Sequence, residues 1–243
     1  MIIGFIPSRL ESKRIHQKPL VKIDGLPIII HTMKRAMLSK KLDDLYVCTN
    51  SKEISDLVNA HGGKSIITSS KNRNGTERIA EAVKKVKCTQ VIDIQGDEPM
   101  VMPNDIDKVI EFHKRNNQFE IVVPYVEKKN EENTNDVKIL SNYKGKILFF
   151  SRSLCPHNFN KKKIKLKKHL SIISFKRKAL LKFNSFNPSP LEKIEGIELM
   201  RALENDFKLG TFKLNGESLA VDVKKDISRV FKYMKKDKIR KLY

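Results

Sequence analysis

Three polar clusters, each directly behind a short apolar run, hold the residues of this chain best suited to chemistry. The first follows Ile2-Ile3-Gly4-Phe5-Ile6 and carries Arg9, Lys13, Arg14 and Lys18. Fixed cations at the carboxyl end of a buried strand suit a polyanion, and a nucleoside triphosphate offers about four negative charges for them to neutralise. A solvated basic turn has the same composition. The cluster is not a Walker loop, because Gly-x4-Gly-Lys-Ser/Thr is missing, and no Gly-x-Gly-x-x-Gly follows the first strand.

The second cluster is Asn74-Gly75-Thr76-Glu77-Arg78, at a helix start. Free N–H groups and the positive end of the helix dipole can hold an anion or read polar base edges there, and an ordinary cap reads the same way. The third is Gln95-Gly96-Asp97-Glu98-Pro99, behind Val91-Ile92-Asp93-Ile94. Gly96 permits close backbone approach, and Asp97 offers Mg2+ a hard oxygen ligand. Asp222, behind Leu219-Ala220-Val221, adds a second carboxylate. Two such carboxylates beside a triphosphate fit metal-assisted phosphoryl-type transfer, whereas either alone is as readily a cap or a turn.

The elements that must position these clusters alternate strictly in the first half. Ile30, Met33 and Met37 recur at helical spacing and predict a helix from Ile28 to Lys40, after an Asp24-Gly25 turn and Pro27. Strands follow at Leu45–Cys48 and Ser65–Ile67, separated by a helix carrying Ile54, Leu57 and Val58. Thr76 is expected to cap a helix bearing Ile79, Ala82 and Val83, and another helix follows Pro103. Strand–helix alternation predicts an α/β fold, a mostly parallel central sheet with helices on both faces. From about Glu120 the rhythm changes to an antiparallel meander, with strands at Ile121–Val126, Val137–Leu140, Ile147–Phe150 and His169–Phe175. One helix through Leu191, Ile194 and Leu203, a strand over Phe207–Leu214 and a final helix with Ile227, Val230, Phe231 and Met234 buried complete the reading.

Composition bounds the class. With 243 residues, 40% of them hydrophobic and 32% charged, the chain can bury a substantial core as a soluble globular protein. No run approaches the roughly 18 apolar residues of a membrane span, and the start lacks the order of a signal peptide. Cys48, Cys88 and Cys155 lack metal-ligand spacing and read as reduced thiols of a cytoplasmic protein. The net charge of +21 is densest at Lys161–Lys168, but no aromatic residues alternate with that tract and Trp is absent. Nucleic acid is therefore not an expected partner; an anionic substrate and a general drift toward Lys, Asn and Ile account for the charge.

Taken together, these stretches resemble the 3-deoxy-manno-octulosonate (Kdo) cytidylyltransferases. The matching pattern is Pro7-Ser8-Arg9-x-x-Ser12-x-Arg14-x-x-x-Lys18-Pro19-Leu20 and Asp24-Gly25-x-Pro27, then Gly75-Thr76-Glu77-Arg78 and Gln95 to Pro99. It continues through Phe150-Ser151-Arg152, His169-Leu170, Pro188-Ser189-Pro190-Leu191-Glu192, Arg201 and Val221-Asp222, in the family's order over nearly the whole chain. The resemblance implies a single nucleotidyltransferase domain over residues 1–243, with a smaller β-rich portion at about 123–184 for dimerisation and sugar binding. It implies that CTP and a 3-deoxy-2-ulosonic acid, foremost Kdo, give the CMP-sugar and pyrophosphate for lipopolysaccharide biosynthesis, in a cytoplasmic homodimer. Ser8, Arg9, Arg14, Lys18, Gly75, Thr76, Arg78 and Gln95 would bind the nucleotide, and Arg9, Arg14, Lys18, Asp97 and Asp222 would carry catalysis. Asp97 and Asp222 would ligate Mg2+. Gln95, Arg152, His169 and Glu198 match positions near the sugar, where Arg152 would meet its carboxylate or, like His169, serve the fold.

The departures lie mainly in the second half. Ile173 replaces a tyrosine, Leu199 stands where the family has a sugar-contacting glutamine, and Phe159 occupies the place of an arginine. Lost hydrogen-bonding partners change discrimination strongly. A related acid such as an amino-substituted Kdo or another nonulosonic acid is thus the alternative substrate. A weakened nucleotide-binding protein is a third reading, opposed by the retained Arg9, Arg14, Lys18, Asp97 and Asp222.

Overall fold

A computed structural model describes residues 1–11, 14–129, 133–216 and 219–243. Ser12 and Lys13 of the first cluster lie outside the described residues, as does part of the polar loop after Lys129. The chain divides into two compact units, residues 1–108 with 218–243, and residues 109–217.

The first unit is built on β1 (Ile2–Ser8), which is buried along its whole length. A 3-10 turn at Lys18–Leu20 leads into β2 (Lys22–Ile23) and β3 (Leu26–Pro27). Their hairpin turns through Asp24 at φ 49 and Gly25 at φ 84, two left-handed residues of the kind an Asp-Gly type I′ turn requires. There follow α1 (Ile28–Met37), β4 (Asp44–Thr49), α2 (Lys52–Ala60), β5 (Ser65–Ile67), α3 (Gly75–Val83), β6 (Gln90–Ile94) and the start of α4 (Pro103–Arg115), whose residues from Val109 on belong to the second unit. The strands lie in the order β6-β1-β4-β5, all parallel. Parallel strands covered on both faces must be apolar almost throughout, which is why Ile2 to Ile6 shows no alternation.

In the second unit, β7 (Ile121–Val122), β8 (Tyr125–Lys129), β9 (Lys138–Ser141), β10 (Ile147–Ser151), β11 (Lys165–His169) and β12 (Ile172–Lys176) come in sequence. Then come α5 (Arg177–Ser185), α6 (Pro190–Glu195), α7 (Met200–Glu204) and β13 (Leu209–Gly210). The expected sheet is antiparallel but not a meander: its order is β10-β9-β11-β8, with β11 between β9 and β8, while β7 pairs with β12 and β13. Back in the first unit, α8 (Lys224–Met234) seats Val230 and Met234 with Val221 against Ile15, Ile23 and Ile28. Each such fully buried aliphatic side chain contributes about 1.5–3 kcal/mol.

Several expected elements differ. The strand over Ile121–Val126 is two, because Pro124 has no N–H for a ladder and the chain changes sheets there. The strand over His169–Phe175 is likewise two, broken at Leu170, whose N–H donates to Pro124 O at 3.0 Å. The second half of the lysine tract is in fact β11, where buried Leu166 supplies the inward contact. The single helix through Leu191 and Leu203 is divided by Gly196, left-handed at φ 63, into α6 and α7. α1 stops at Met37 instead of Lys40, and β13 covers only two residues of the strand expected over Phe207–Leu214. The cap of α3 is Asn74, whose side chain accepts from Glu77 N–H at 2.9 Å, and Thr76 lies inside the helix.

Candidate active site

In the first unit, the carboxyl ends of β1 and β6 and the start of α3 close on one another because two glycines let them. A Cβ on Gly96 would lie 2.7 Å from Pro7 O, and one on Gly75 would lie 3.0 Å from Pro7 Cγ. The loop behind β6 is also stitched to the segment before α8, since Val221 N–H donates to Asp97 O at 2.9 Å. Asp97 and Asp222, far apart in sequence, therefore face the first cluster together.

Each carboxylate holds one cation of that cluster. Lys18 Nζ donates to Asp97 Oδ2 at 2.6 Å and to Val221 O at 3.0 Å. Arg14 donates to Asp222 Oδ1 at 2.8 Å. The side chains of Lys18 and Asp97 are 15% and 30% exposed, those of Arg14 and Asp222 58% and 46%. The inner pair is the better shielded; the outer one is an exposed bridge of the kind that adds only about 0–1 kcal/mol to stability. Asp222 is positioned from behind by Asp226, whose carboxylate accepts from the N–H groups of Asp222 and Val223, both at 2.9 Å.

Arg78 is buried and donates to Thr68 Oγ1 at 2.6 Å. Burial pushes its pKa down, and the charge of exposed Arg9 is among the further causes. Two guanidinium groups within electrostatic reach of each other favour an anion nearby. Ser8 Oγ, at the end of β1, is buried without a hydrogen-bond partner among the described residues, and so is Asn50 Oδ1 just beyond β4. Buried orphan oxygens at strand ends are groups a ligand can satisfy. Asn50 is hidden in sequence by its neighbour Ser51, the actual cap of α2. Gln95 donates through Nε2 to Asp93 Oδ1 at 3.0 Å. The signal for Asp93 is an acid inside the apolar run Val91-Ile92-Asp93-Ile94.

The first unit thus gathers Ser8, Arg9, Arg14, Lys18, Gly75, Thr76, Arg78, Gln95, Asp97 and Asp222. Arg152, His169 and Glu198 belong to the second. There the Arg152 guanidinium donates to the carbonyls of Glu195 at 2.8 Å, Thr134 at 3.0 Å and Gly196 at 3.2 Å, so it ties loops together. His169 is half-buried, with Phe150 edge-on at 6.2 Å. Burial, aided by the charges of Lys168 and Arg152, lowers its pKa to about 4, which keeps the ring neutral at neutral pH. Glu198 is half-buried just before α7, its carbonyl accepting from Arg201 N–H at 3.1 Å. Ile173 and Leu199 are core residues, and Phe159 is exposed.

Among the described residues no cluster of three or more His, Cys, Asp or Glu could cage a metal ion. Two carboxylates still suit Mg2+, which keeps waters and takes phosphate oxygens in preference to an all-protein shell.

Paired cations and carboxylates at the carboxyl edge of a parallel sheet mark a ligand site, and residues 3–213 match the family model described as Cytidylyltransferase, which makes the class a nucleotidyltransferase. The chain is 37% identical to the 3-deoxy-manno-octulosonate cytidylyltransferase of Rickettsia canadensis, over 94% of this chain and 93% of that one. It is 34% identical to the protein of the same name from Fusobacterium nucleatum, over 98% of each. A solved CMP:2-keto-3-deoxy-manno-octonic acid synthetase complexed with CTP superposes with a TM-score of 0.93 at 28% identity, covering 97% of this chain and 98% of that one. The chain belongs to the 3-deoxy-manno-octulosonate cytidylyltransferase family.

Proposed function

We propose that this protein transfers CMP from CTP to Kdo, with Mg2+ as cofactor. The observation that carries the reading is the double pairing of Lys18 with Asp97 and Arg14 with Asp222. A triphosphate and a divalent cation can replace these pairs without a net change of partners: the cations turn to phosphate oxygens, the carboxylates to the metal. The anomeric hydroxyl of the sugar attacks the α-phosphorus, its proton is lost, and the bond to the bridging oxygen breaks to release pyrophosphate. Arg9, Arg14 and Lys18 stabilise charge on that leaving group, and Ser8 with the Gly75–Arg78 segment seats the nucleotide. Asp97 and Asp222 would hold Mg2+, which supplies Lewis-acid polarisation of the phosphates and acidifies the attacking hydroxyl.

Gln95 is the sugar contact of the first unit, and Glu198 and His169 are the candidates of the second, while the three carbonyls on Arg152 support its structural alternative. A homodimer in the cytoplasm is part of the same proposal. Exposed Tyr143, Leu148 and Phe159 give the β-rich portion apolar area for a second copy, and no helix among the described residues is long and apolar enough to cross a membrane. Pyrophosphate release from CTP and Mg2+ across a panel of 3-deoxy-ulosonic acids tests the assignment. Kdo is expected to turn over fastest; turnover of another acid with none of Kdo would replace it as the substrate.

A further inference from the structure

We propose that Asp93 is a positioning residue that fixes which atom of the Gln95 amide faces the substrate. A glutamine amide can present either its oxygen or its nitrogen, and nothing in its shape decides between them. Here the decision is made from beneath. Asp93 lies in β6 between Ile92 and Ile94, almost completely removed from solvent, and its Oδ1 is 3.0 Å from Gln95 Nε2. Nε2 donates to that oxygen, which turns Oε1 the other way.

The consequence is a site that offers the sugar an acceptor. Such an oxygen reads a hydroxyl or an amino group on the ulosonic acid and disfavours an analogue lacking that donor. An asparagine at this position would carry both a donor and an acceptor and would let the amide flip. The inference rests on the reading of Gln95 as a sugar contact.

The test is a double-mutant cycle on the full-length protein, with KM for the sugar acid, KM for CTP, kcat and melting temperature measured for each variant. Asp93→Asn is expected to raise the sugar KM about tenfold, with the CTP KM and melting temperature unchanged. Gln95→Glu alone sets two carboxylates against each other and is expected to be worse. In the Asp93→Asn background, Gln95→Glu is expected to recover the sugar KM, because the introduced side-chain amide can donate to a glutamate that presents only oxygen. Wild-type kinetics for Asp93→Asn, or additive effects of the two changes, would overturn the proposal. If Gln95→Ala leaves the sugar KM untouched, the sugar contact itself is what fails.

Discussion

At the scale of single residues, the proposed chemistry turns on Lys18 and Asp97. Asp97→Asn removes a carboxylate that is only partly shielded, and Lys18 keeps its bond to Val221 O at 3.0 Å. The variant is expected to melt as the wild type does and to lose at least about a hundredfold in Mg2+-dependent pyrophosphate release. Wild-type turnover would remove the metal role. Arg14→Ala breaks an exposed pair, so urea unfolding should move by less than about 0.5 kcal/mol while the KM for CTP rises about tenfold. These residues are legible because cation and carboxylate types are informative wherever they follow a buried strand. Arg152 is not, since a guanidinium that binds carbonyls and one that waits for a carboxylate look alike in sequence. Asp93 stands out in sequence as an acid inside an apolar strand, but its meaning depends on a side chain two positions on, visible only in space.

At the scale of elements, the approach of β6 to β1 depends on Gly96. Gly96→Ala would push a methyl group against Pro7 O, and we expect a loss of about 1–3 kcal/mol in chemical denaturation together with weakened CTP binding by calorimetry. In the second unit, α4 is joined to β12 by His113, whose Nδ1 accepts from Ser174 Oγ at 2.6 Å while Nε2–H donates to Phe119 O at 3.1 Å. Burial lowers the His113 pKa from 6.5 to about 4. Between these values the unfolded chain takes up a proton that the folded chain refuses. Stability should therefore be full above pH 6.5 and fall as the pH drops toward 4, by about 3 kcal/mol from this group. Urea titrations between pH 7 and pH 4 check this, and His113→Gln should flatten the slope over that window. Strand and helix identities in the first half can be read from spacing, because a parallel sheet writes continuous apolar runs. The breaks at Pro124, Leu170 and Gly196 cannot, since each is a change of partner that leaves local composition almost unchanged.

At the scale of the molecule, the first unit is made of two distant pieces, residues 1–108 and 218–243. Its core mixes Ile15, Ile23 and Ile28 with Val221, Val230 and Met234. A chain ending after Gly216 should therefore fail to fold its first unit, as read by a loss of cooperative melting and by dye binding to exposed apolar surface. A cooperative transition with wild-type amplitude would show that the returning segment is dispensable. The same arrangement sets a timetable. A ribosome adds about 5–20 residues per second, so the first unit waits on the order of ten seconds for its last helix. Through that interval Ile15, Ile23 and Ile28 lack the part of their cover that Val221, Val230 and Met234 supply, and Asp222 has not yet been made. A nascent chain is thus open to chaperones, and the carboxylate pair proposed to hold Mg2+ is incomplete, until the segment around Asp222 emerges.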